Sequence, residues 1–190
     1  MSQILILDDE AAILQSLRRL LRIAPCCYGN RIYTLEVEAF TSAKAALERA
    51  RHTPFDLVLT DYRMPEMDGV SFLKAVKALQ PDAGRLILSG YADLNGLMRA
   101  VNEVGIDRFL GKPWNDYELV AAIAQTLAHR DLQLENRRLA DLMRLDCGDI
   151  TPAEMEAKRL EAMEPGITRV SWGPDGSVVL DAEGAPADTP

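Results

Sequence analysis

The feature that most constrains the fold is a fivefold alternation of short apolar runs with segments of helical periodicity, up to about residue 128. Strands that are buried on both faces are rich in Leu, Ile and Val, and parallel strands need a helical crossover between them. The pattern therefore predicts an α/β fold, a doubly wound five-stranded parallel sheet covered by helices. The predicted strands are Gln3–Leu7, Leu35–Phe40, Asp56–Thr60, Arg85–Ser89 and Asp107–Leu110. The predicted helices are Ala11–Ile23, Ser42–Arg51, Val70–Leu79, Leu94–Glu103 and a fifth that opens near Asn115, while Pro25–Ile32 is predicted to be a longer first connection.

The charge is distributed unevenly along the chain, whose net charge is -8. Residues 1–145 carry 18 basic and 19 acidic side chains, whereas residues 146–190 carry 3 basic and 10 acidic ones. A DNA-binding output needs a basic face, because neutralisation of phosphates supplies much of the affinity. The acidic tail therefore argues against a nucleic-acid-binding output.

The cysteines and the N-terminus indicate the cellular compartment. Cys26, Cys27 and Cys147 are odd in number and show no CxxC spacing, which favours reduced thiols. The N-terminus lacks a basic stretch, its apolar run stops at two aspartates, and no apolar stretch approaches the length of a membrane span. We therefore expect a cytoplasmic protein without a membrane partner.

The fifth helix is predicted to continue well past the sheet, because no helix breaker stands between Tyr117 and Leu145. A short heptad pattern begins there, with His129 at the first a position. Two interpretations stay open: a parallel homodimer formed through this seam, or an amphipathic helix packed on its own domain. The predicted seam residues are Leu132, Asn136, Leu139 and Met143.

The tail is predicted to form a small helix and hairpin module. Thr151-Pro152-Ala153-Glu154 has the residues of a capped helix start. The segments Arg169–Trp172 and Ser177–Leu180 flank a Gly-Pro-Asp-Gly turn, which predicts a hairpin. The predicted domains are the sheet domain over 1–128, a helix extension over 129–146, an acidic module over 147–182 and a disordered end over 183–190.

Polar residues follow four of the five predicted strands. These residues are Asp8 and Asp9 after the first strand, Asp61 after the third, Ser89 and Gly90 at the fourth, and Lys112 and Pro113 after the fifth. Each one alone could be a cap, a turn residue or a surface charge. Together they would meet at the carboxyl edge of a doubly wound sheet, where ligands bind. Crowded carboxylates repel one another unless a cation lies between them, so the set predicts a magnesium site.

The segments that carry these residues closely resemble the receiver domain of two-component response regulators. The matching segments are Ile4–Glu10, Asp56–Gly69, Leu88–Tyr91 and Phe109–Trp114, and the resemblance covers roughly residues 1–128. It implies a flavodoxin-like sheet with strand order 2-1-3-4-5. It also implies that Asp61 accepts a phosphoryl group from a histidine kinase or a phosphotransfer protein. By the same likeness the cofactor is Mg²⁺, bound directly by Asp9 and the backbone carbonyl of Arg63. Asp61 also belongs to the metal site, and Asp8 acts through water.

The resemblance also implies roles for the neighbours of the phosphoryl group. Ser89 and Lys112 would contact its oxygens, and Phe109 would be a switch aromatic that turns into the space Ser89 vacates. Plain core packing is the alternative for Phe109. The residues implied to shape the surrounding loops are Pro65 and Gly69 after Asp61, and Pro113 in a peptide bond that is usually cis in the family.

The predicted function is that of a response regulator in which phosphorylation of Asp61 switches a protein-protein interaction or a dimerisation surface. We expect no separate catalytic activity, because residues 129–190 contain no HD, GYP, GGDEF-type or helix-turn-helix motif. The expected partners are a kinase or phosphotransfer protein, a second copy of the chain and a downstream protein. The alternative is a receiver fragment of a longer regulator, with an HD-GYP-like phosphodiesterase or DNA-binding output that this chain does not contain.

Overall fold

The computed structural model describes residues 1–90, 104–147, 149–163, 171–172 and 178–179. The chain forms two compact units, Met1–Glu135 and Asn136–Pro190. The predicted helix Leu94–Glu103 lies outside the described residues, and the helices described below are numbered without it.

The first unit contains a five-stranded parallel sheet. Its order is β4-β1-β5-β6-β7, and every neighbouring pair is parallel. This confirms the predicted sheet, because β4 is the second of the five predicted strands and the order is therefore 2-1-3-4-5. The strands of this unit are β1 (Ser2–Leu7), β2 (Cys26–Tyr28), β3 (Arg31–Tyr33), β4 (Leu35–Phe40), β5 (Leu57–Asp61), β6 (Gly84–Gly90) and β7 (Arg108–Lys112).

Amphipathic helices cover the sheet. The helices are α1 (Ala11–Ile23), α2 (Ala43–His52), α3 (Gly69–Leu79) and α4 (Asp116–Asp146), with α5 (Pro152–Met163) in the second unit. In α1 the buried residues Leu14, Leu17 and Leu21 recur every three or four positions and so share one face. The side chain of Asn115 caps α4 by accepting hydrogen bonds from the backbone N–H groups of Tyr117 and Glu118. None of the described helices is long and apolar enough to cross a membrane.

The sheet has an apolar core on each face because successive strand residues point to opposite sides. Ile4 and Ile6 of β1 pack in the cluster that includes α1 and the first turns of α4. Leu5 and Leu7 pack in the cluster that includes α2 and α3. The central strand β5 is buried along its whole length. With both faces covered, polar chemistry is left to the ends of the strands.

The predicted connection Pro25–Ile32 contains an antiparallel hairpin, β2 paired with β3, that the hydrophobic pattern did not reveal. Three-residue strands are too short to show a clear alternation, and the available signal was the Gly29-Asn30 turn pair. Gly29 has φ +58, which favours glycine at this turn. Arg31 and the Tyr33 hydroxyl both donate to Asp131 of α4, at 2.7 and 3.1 Å. The hairpin is therefore tied to α4 within the first unit.

The second unit begins its own helix, α5, with the predicted capping box. The Thr151 hydroxyl accepts from the backbone N–H of Glu154 at 3.2 Å, and the Thr151 N–H donates to the Glu154 carboxylate at 2.7 Å. Lys158 forms an ion pair with Asp141 at 3.0 Å. Two short antiparallel strands, β8 (Ser171–Trp172) and β9 (Val178–Val179), confirm strand pairing in the predicted hairpin. Its residues 169–170, 173–177 and 180 lie outside the described part.

Gly84 gives a test of the packing between β6 and α4. A Cβ at this position would lie 2.5 Å from Thr126 Cγ2, and Thr126 is buried. We expect Gly84→Ala to lower the free energy of unfolding by about 1 to 3 kcal/mol, because a branched buried side chain must shift to make room. Urea denaturation measures the change. In the control Gly111→Ala, the new Cβ meets nothing within 4 Å and stability should be nearly unchanged; equal stability of the two variants would contradict this packing.

Candidate functional site

The carboxyl edge of the sheet brings together several of the polar residues that the sequence singled out. Asp8 follows β1, Asp61 ends β5, Ser89 lies near the end of β6 and Lys112 ends β7. The parallel register pairs Asp61 with Leu88 and Gly90 with Lys112, so these strand ends are aligned side by side. This arrangement follows from topology, because parallel strands all point their carboxyl ends in one direction.

The central interaction of the site is a contact of one ammonium with two carboxylates. Lys112 Nζ lies 2.7 Å from Asp8 Oδ2 and also contacts Asp61 Oδ1. Asp8 is 1% exposed and Asp61 6% exposed, so both carboxylates are nearly excluded from water. Burial of an unpaired charge costs several kcal/mol, and Lys112 offsets part of that cost for both acids. Two negative charges against one positive charge leave the cluster attractive to a further cation.

The protonation state of Lys112 is fixed by the same contacts. Burial by itself would lower its pKa, but hydrogen bonds to Asp61 and Asp8, together with their charges, raise the pKa above its ordinary value. A raised pKa in the folded state means that this stabilisation is present below the ordinary lysine pKa and is lost as pH rises through the folded one. Lys112 is therefore a charged hydrogen-bond donor at neutral pH.

Backbone hydrogen bonds orient the two carboxylates. Asp61 Oδ2 accepts from the backbone N–H of Arg63 at 2.8 Å, and Asp8 Oδ1 accepts from that of Glu10 at 2.9 Å. Each acid thus has one oxygen held by the loop that follows it and the other held by Lys112. These contacts fix the orientation of both carboxylates.

The loop after Asp61 returns to the site and begins α3 there. Gly69 donates its backbone N–H to the carbonyl of Tyr62 at 2.9 Å, and a Cβ at Gly69 would overlap the Asp61 carbonyl oxygen. Asp68 caps α3 by accepting from the Ser71 N–H at 2.7 Å. A residue without a side chain is therefore needed where the helix meets the strand end, and Pro65 lies exposed in the loop between them.

The residues implied to form the switch lie on β6 and β7. Ser89 is buried, and its hydroxyl donates to the Gly90 carbonyl at 3.1 Å. Phe109 is partly buried and packs against the apolar cluster on the α2 and α3 face. Its register partner is Ile87, two residues before Ser89. The Lys112–Pro113 peptide bond is cis.

The carboxylates at this edge of the sheet are the candidate ligands for a magnesium ion. Asp9 is exposed, and among the described residues no three His, Cys, Asp or Glu side chains are arranged to hold a metal ion. Magnesium commonly binds only one or two protein carboxylates and completes its octahedral shell with waters and phosphate oxygens. Asp8 and Asp61 contact the same ammonium, so both present an oxygen to one polar site. These two acids therefore fit a largely hydrated magnesium ion.

The side chains of the predicted seam are exposed on α4. Leu132 is 59% exposed, Leu139 49% and Met143 69%. Asn136 is also exposed. The structure thus leaves these apolar side chains in solvent, and dimerisation through them stays a prediction.

Comparison with known proteins connects this geometry to a family. The sequence model of the family described as the response regulator receiver domain matches residues 4–124 of this chain. The hydrogenase transcriptional regulatory protein HoxA of Bradyrhizobium diazoefficiens is 37% identical over 135 residues, which are 70% of this chain and 25% of HoxA. The chain thus spans about a quarter of the length of this curated relative.

Solved structures give the same result. The signal receiver domain of an HD domain-containing protein from Pseudomonas fluorescens Pf-5 is 36% identical, with a TM-score of 0.59 over 68% of this chain and 97% of that one. Full-length FixJ from B. japonicum is 29% identical, with a TM-score of 0.62 over 80% of this chain and 70% of that one. The likeness therefore extends to both sequence and fold.

Removal of the ammonium tests the electrostatics of the cluster. We expect Lys112→Met to lower the free energy of unfolding by about 3 kcal/mol in EDTA, because two buried carboxylates lose their shared partner. Magnesium should then restore more stability to the variant than it adds to the unchanged protein, since the acids regain a cation.

Urea denaturation with EDTA or MgCl₂ measures both effects. The control is Lys44→Met, which removes an exposed ammonium on α2 and should change neither stability nor its response to magnesium. Equal loss of stability in the two variants, or an equal gain from magnesium, would contradict the proposed role of Lys112.

Proposed function

The chain belongs to the family of response regulator receiver domains, and we propose that it acts as a phosphorylation switch with Asp61 as the phosphoryl acceptor. The observation that carries this proposal is the contact of Lys112 with both Asp61 and Asp8 at the carboxyl edge of the sheet. It supports a site in which a nucleophilic carboxylate and a charge-neutralising ammonium stand side by side. The chemistry proposed for the chain is its own phosphorylation and dephosphorylation, with no separate catalytic activity.

The proposed reaction is transfer of a phosphoryl group from phosphohistidine to Asp61 Oδ1. The carboxylate oxygen attacks phosphorus, a P–O bond forms, and the P–N bond breaks as the imidazole leaves with the electron pair. Phosphoryl transfer depends on in-line positioning and on neutralisation of the oxygens more than on covalent help from the protein. The Arg63 N–H holds Asp61 Oδ2 in place, and Lys112 exchanges its contact with Oδ1 for one with a phosphoryl oxygen.

Receiver domains generally bind Mg²⁺ for phosphorylation. In this chain we propose that Asp8, Asp9, Asp61 and the carbonyl of Arg63 hold the ion, with Asp8 acting through water. When bound, magnesium supplies a second positive charge beside the phosphoryl oxygens. Backbone hydrogen bonds hold one oxygen of Asp61 and one oxygen of Asp8 in place, which orients both carboxylates for binding the ion.

The proposed switch begins at Ser89. Its hydroxyl now donates to the Gly90 carbonyl and would instead donate to a phosphoryl oxygen on Asp61. β6 pairs with β7, so a shift of Ser89 reaches the strand that carries Phe109 and Lys112. Phe109 is only partly buried, which leaves it able to change its packing when Ser89 moves. Pro65, Gly69 and Pro113 are proposed to hold the surrounding loops in shape.

Response regulators interact with histidine kinases and with downstream partners. We propose a histidine kinase or phosphotransfer protein as the phosphodonor and a second copy of the chain and a downstream protein as targets of the switch. The proposed domains are those predicted from the sequence, 1–128, 129–146, 147–182 and 183–190. A cytoplasmic location is proposed, and the three cysteines, which are free thiols, agree with it.

A second candidate function is a receiver that belongs to a longer regulator. This candidate is favoured because the match to HoxA, a transcriptional regulatory protein, covers only 25% of the length of HoxA. The receiver of the Pf-5 protein comes from an HD domain-containing chain. The output would then be DNA binding or an HD-type activity outside these residues. The acidic tail, with 10 acidic and 3 basic side chains, favours a protein partner over nucleic acid for this chain itself.

Asp61→Asn tests the phosphoryl acceptor. With Mg²⁺ and a small acyl-phosphate donor, the unchanged chain should gain the mass of one phosphoryl group, and the variant should gain none because the amide is a poor nucleophile. Intact-mass spectrometry gives the result. Asp68→Asn is the matched control, because it makes the same change at the nearby cap of α3 and should phosphorylate normally. A phosphorylated Asp61→Asn chain would refute the assignment.

Leu132→Asp combined with Leu139→Asp tests dimerisation through the seam. The two charges should abolish any dimer of the phosphorylated protein, since they would face each other across an apolar interface. Sedimentation of phosphorylated and unphosphorylated protein measures the change. Arg138→Asp alters the net charge by the same amount at a position outside the seam and should leave the dimer intact. An unchanged oligomeric state in the double variant would exclude this seam.

A further inference from the structure

An open groove of about 900 Å³ lies beside the edge strand β4. It is lined by the C-terminal half of α1, by the β2–β3 hairpin and by the first residues of β4. No residue of the proposed phosphoryl site lines it. Its recognition chemistry is therefore separate from phosphoryl transfer.

The groove carries an excess of positive charge. Arg18, Arg19 and Arg22 of α1 line it and are exposed, and within the described part of the chain none of them has a hydrogen bond or an ion pair. Arg31 and Arg49, by contrast, are paired with acids. One carboxylate, that of Glu36, also belongs to the lining, and it accepts a hydrogen bond from the Gln3 side chain at 2.7 Å. Three guanidinium groups thus stand against a single acid.

The helical period places two of these arginines on one flank of α1. At about 100° per residue, Arg18 and Arg22 lie one turn apart on one side of the buried stripe formed by Leu14, Leu17 and Leu21. The other flank of α1 packs into the apolar cluster shared with α4 through residues such as Leu20. The arginine flank is therefore the one beside β4, which agrees with the lining of the groove.

The edge strand offers backbone groups to the same groove. Among the described strands, β4 pairs with β1 alone. Thr34 and Phe40 turn their carbonyl oxygens toward β1, where Ser2 and Asp8 donate to them. In a parallel ladder alternate residues face opposite ways, so Leu35, Val37 and Ala39 turn their N–H and C=O groups outward. An edge of this kind is a template for an added strand.

Apolar side chains complete the surface. Ile23 is 72% exposed and Ile32 of the hairpin is 81% exposed, and both line the groove. Nucleic acid would use the arginines but neither these isoleucines nor the edge of the strand. An extended peptide with alternating acidic and apolar side chains matches all three features.

We propose that this groove binds an extended acidic segment of a partner protein, added as a strand to β4. The carboxylates of the segment pair with Arg18, Arg19 and Arg22, and its apolar side chains contact Ile23 and Ile32. Backbone hydrogen bonds to Val37 fix its register. The groove thus recognises a partner at a surface remote from Asp61 and independent of phosphoryl chemistry.

Fluorescence anisotropy of a labelled peptide of alternating Glu and Val tests the charge requirement on the full chain. Arg18→Glu combined with Arg22→Glu should weaken binding about tenfold or more, because two attractive pairs become repulsive. Lys44→Glu combined with Lys74→Glu makes the same change in net charge at exposed positions of α2 and α3 and should bind normally. Equal binding by the two double variants would overturn the proposal, as would equal binding of a peptide with Lys in place of Glu.

Val37→Pro tests the added strand. It removes one outward N–H and leaves the hydrogen bonds to β1 in place, so the fold measured by circular dichroism should be unchanged while peptide binding weakens. Undiminished binding by a folded Val37→Pro chain would refute strand addition. A labelled single-stranded oligonucleotide provides the competing ligand. If it binds and the acidic peptide does not, the groove is a nucleic-acid surface and the proposal is wrong.

Discussion

In the functional site one partly buried ammonium contacts two buried carboxylates, and this contact holds the site together. Asp8 and Asp61 could not both lie charged in a nearly water-free position unless a cation stood beside them, and Lys112 provides it from a different strand. Because the acids outnumber the ammonium, the cluster still favours a further positive charge. This imbalance supports the magnesium site and the phosphoryl acceptor that we propose here.

The fold supplies this contact through strand order. Asp8 follows β1, and Asp61 ends the neighbouring strand β5. Lys112 ends β7, which lies two strands away from β5 in the sheet. Ser89 lies on β6, the strand between those that carry Asp61 and Lys112. Residue 69 must lack a side chain, because α3 begins against the Asp61 carbonyl and a Cβ on Gly69 would overlap it. Stability and chemistry therefore depend on the same few atoms.

The sheet and the location of the site could be predicted because both follow from periodic features. The runs before Asp8 and Asp61 are apolar over a full strand, and parallel topology then places the residues after them on one edge. The capped start at Thr151 was equally local and was confirmed. The β2–β3 hairpin was missed because its strands span three residues each and leave no periodic pattern. The sequence could not show that Lys112 contacts both acids or that Asp9 is exposed. It also could not show that Arg18 and Arg22 lie beside an open strand edge. These features depend on side chains that the fold brings together from distant positions in the chain.

We propose that Asp61 is the phosphoryl acceptor because its carboxylate is fixed beside Lys112. The most direct measurement is reduction of the phosphorylated chain with borohydride, which converts an aspartyl phosphate to homoserine, followed by peptide sequencing in the mass spectrometer. We predict homoserine at residue 61 and at no other aspartate, formed only when Mg²⁺ and a phosphodonor are both supplied. Homoserine at Asp8 or Asp9, or none at all in a folded chain with metal and donor present, would contradict it.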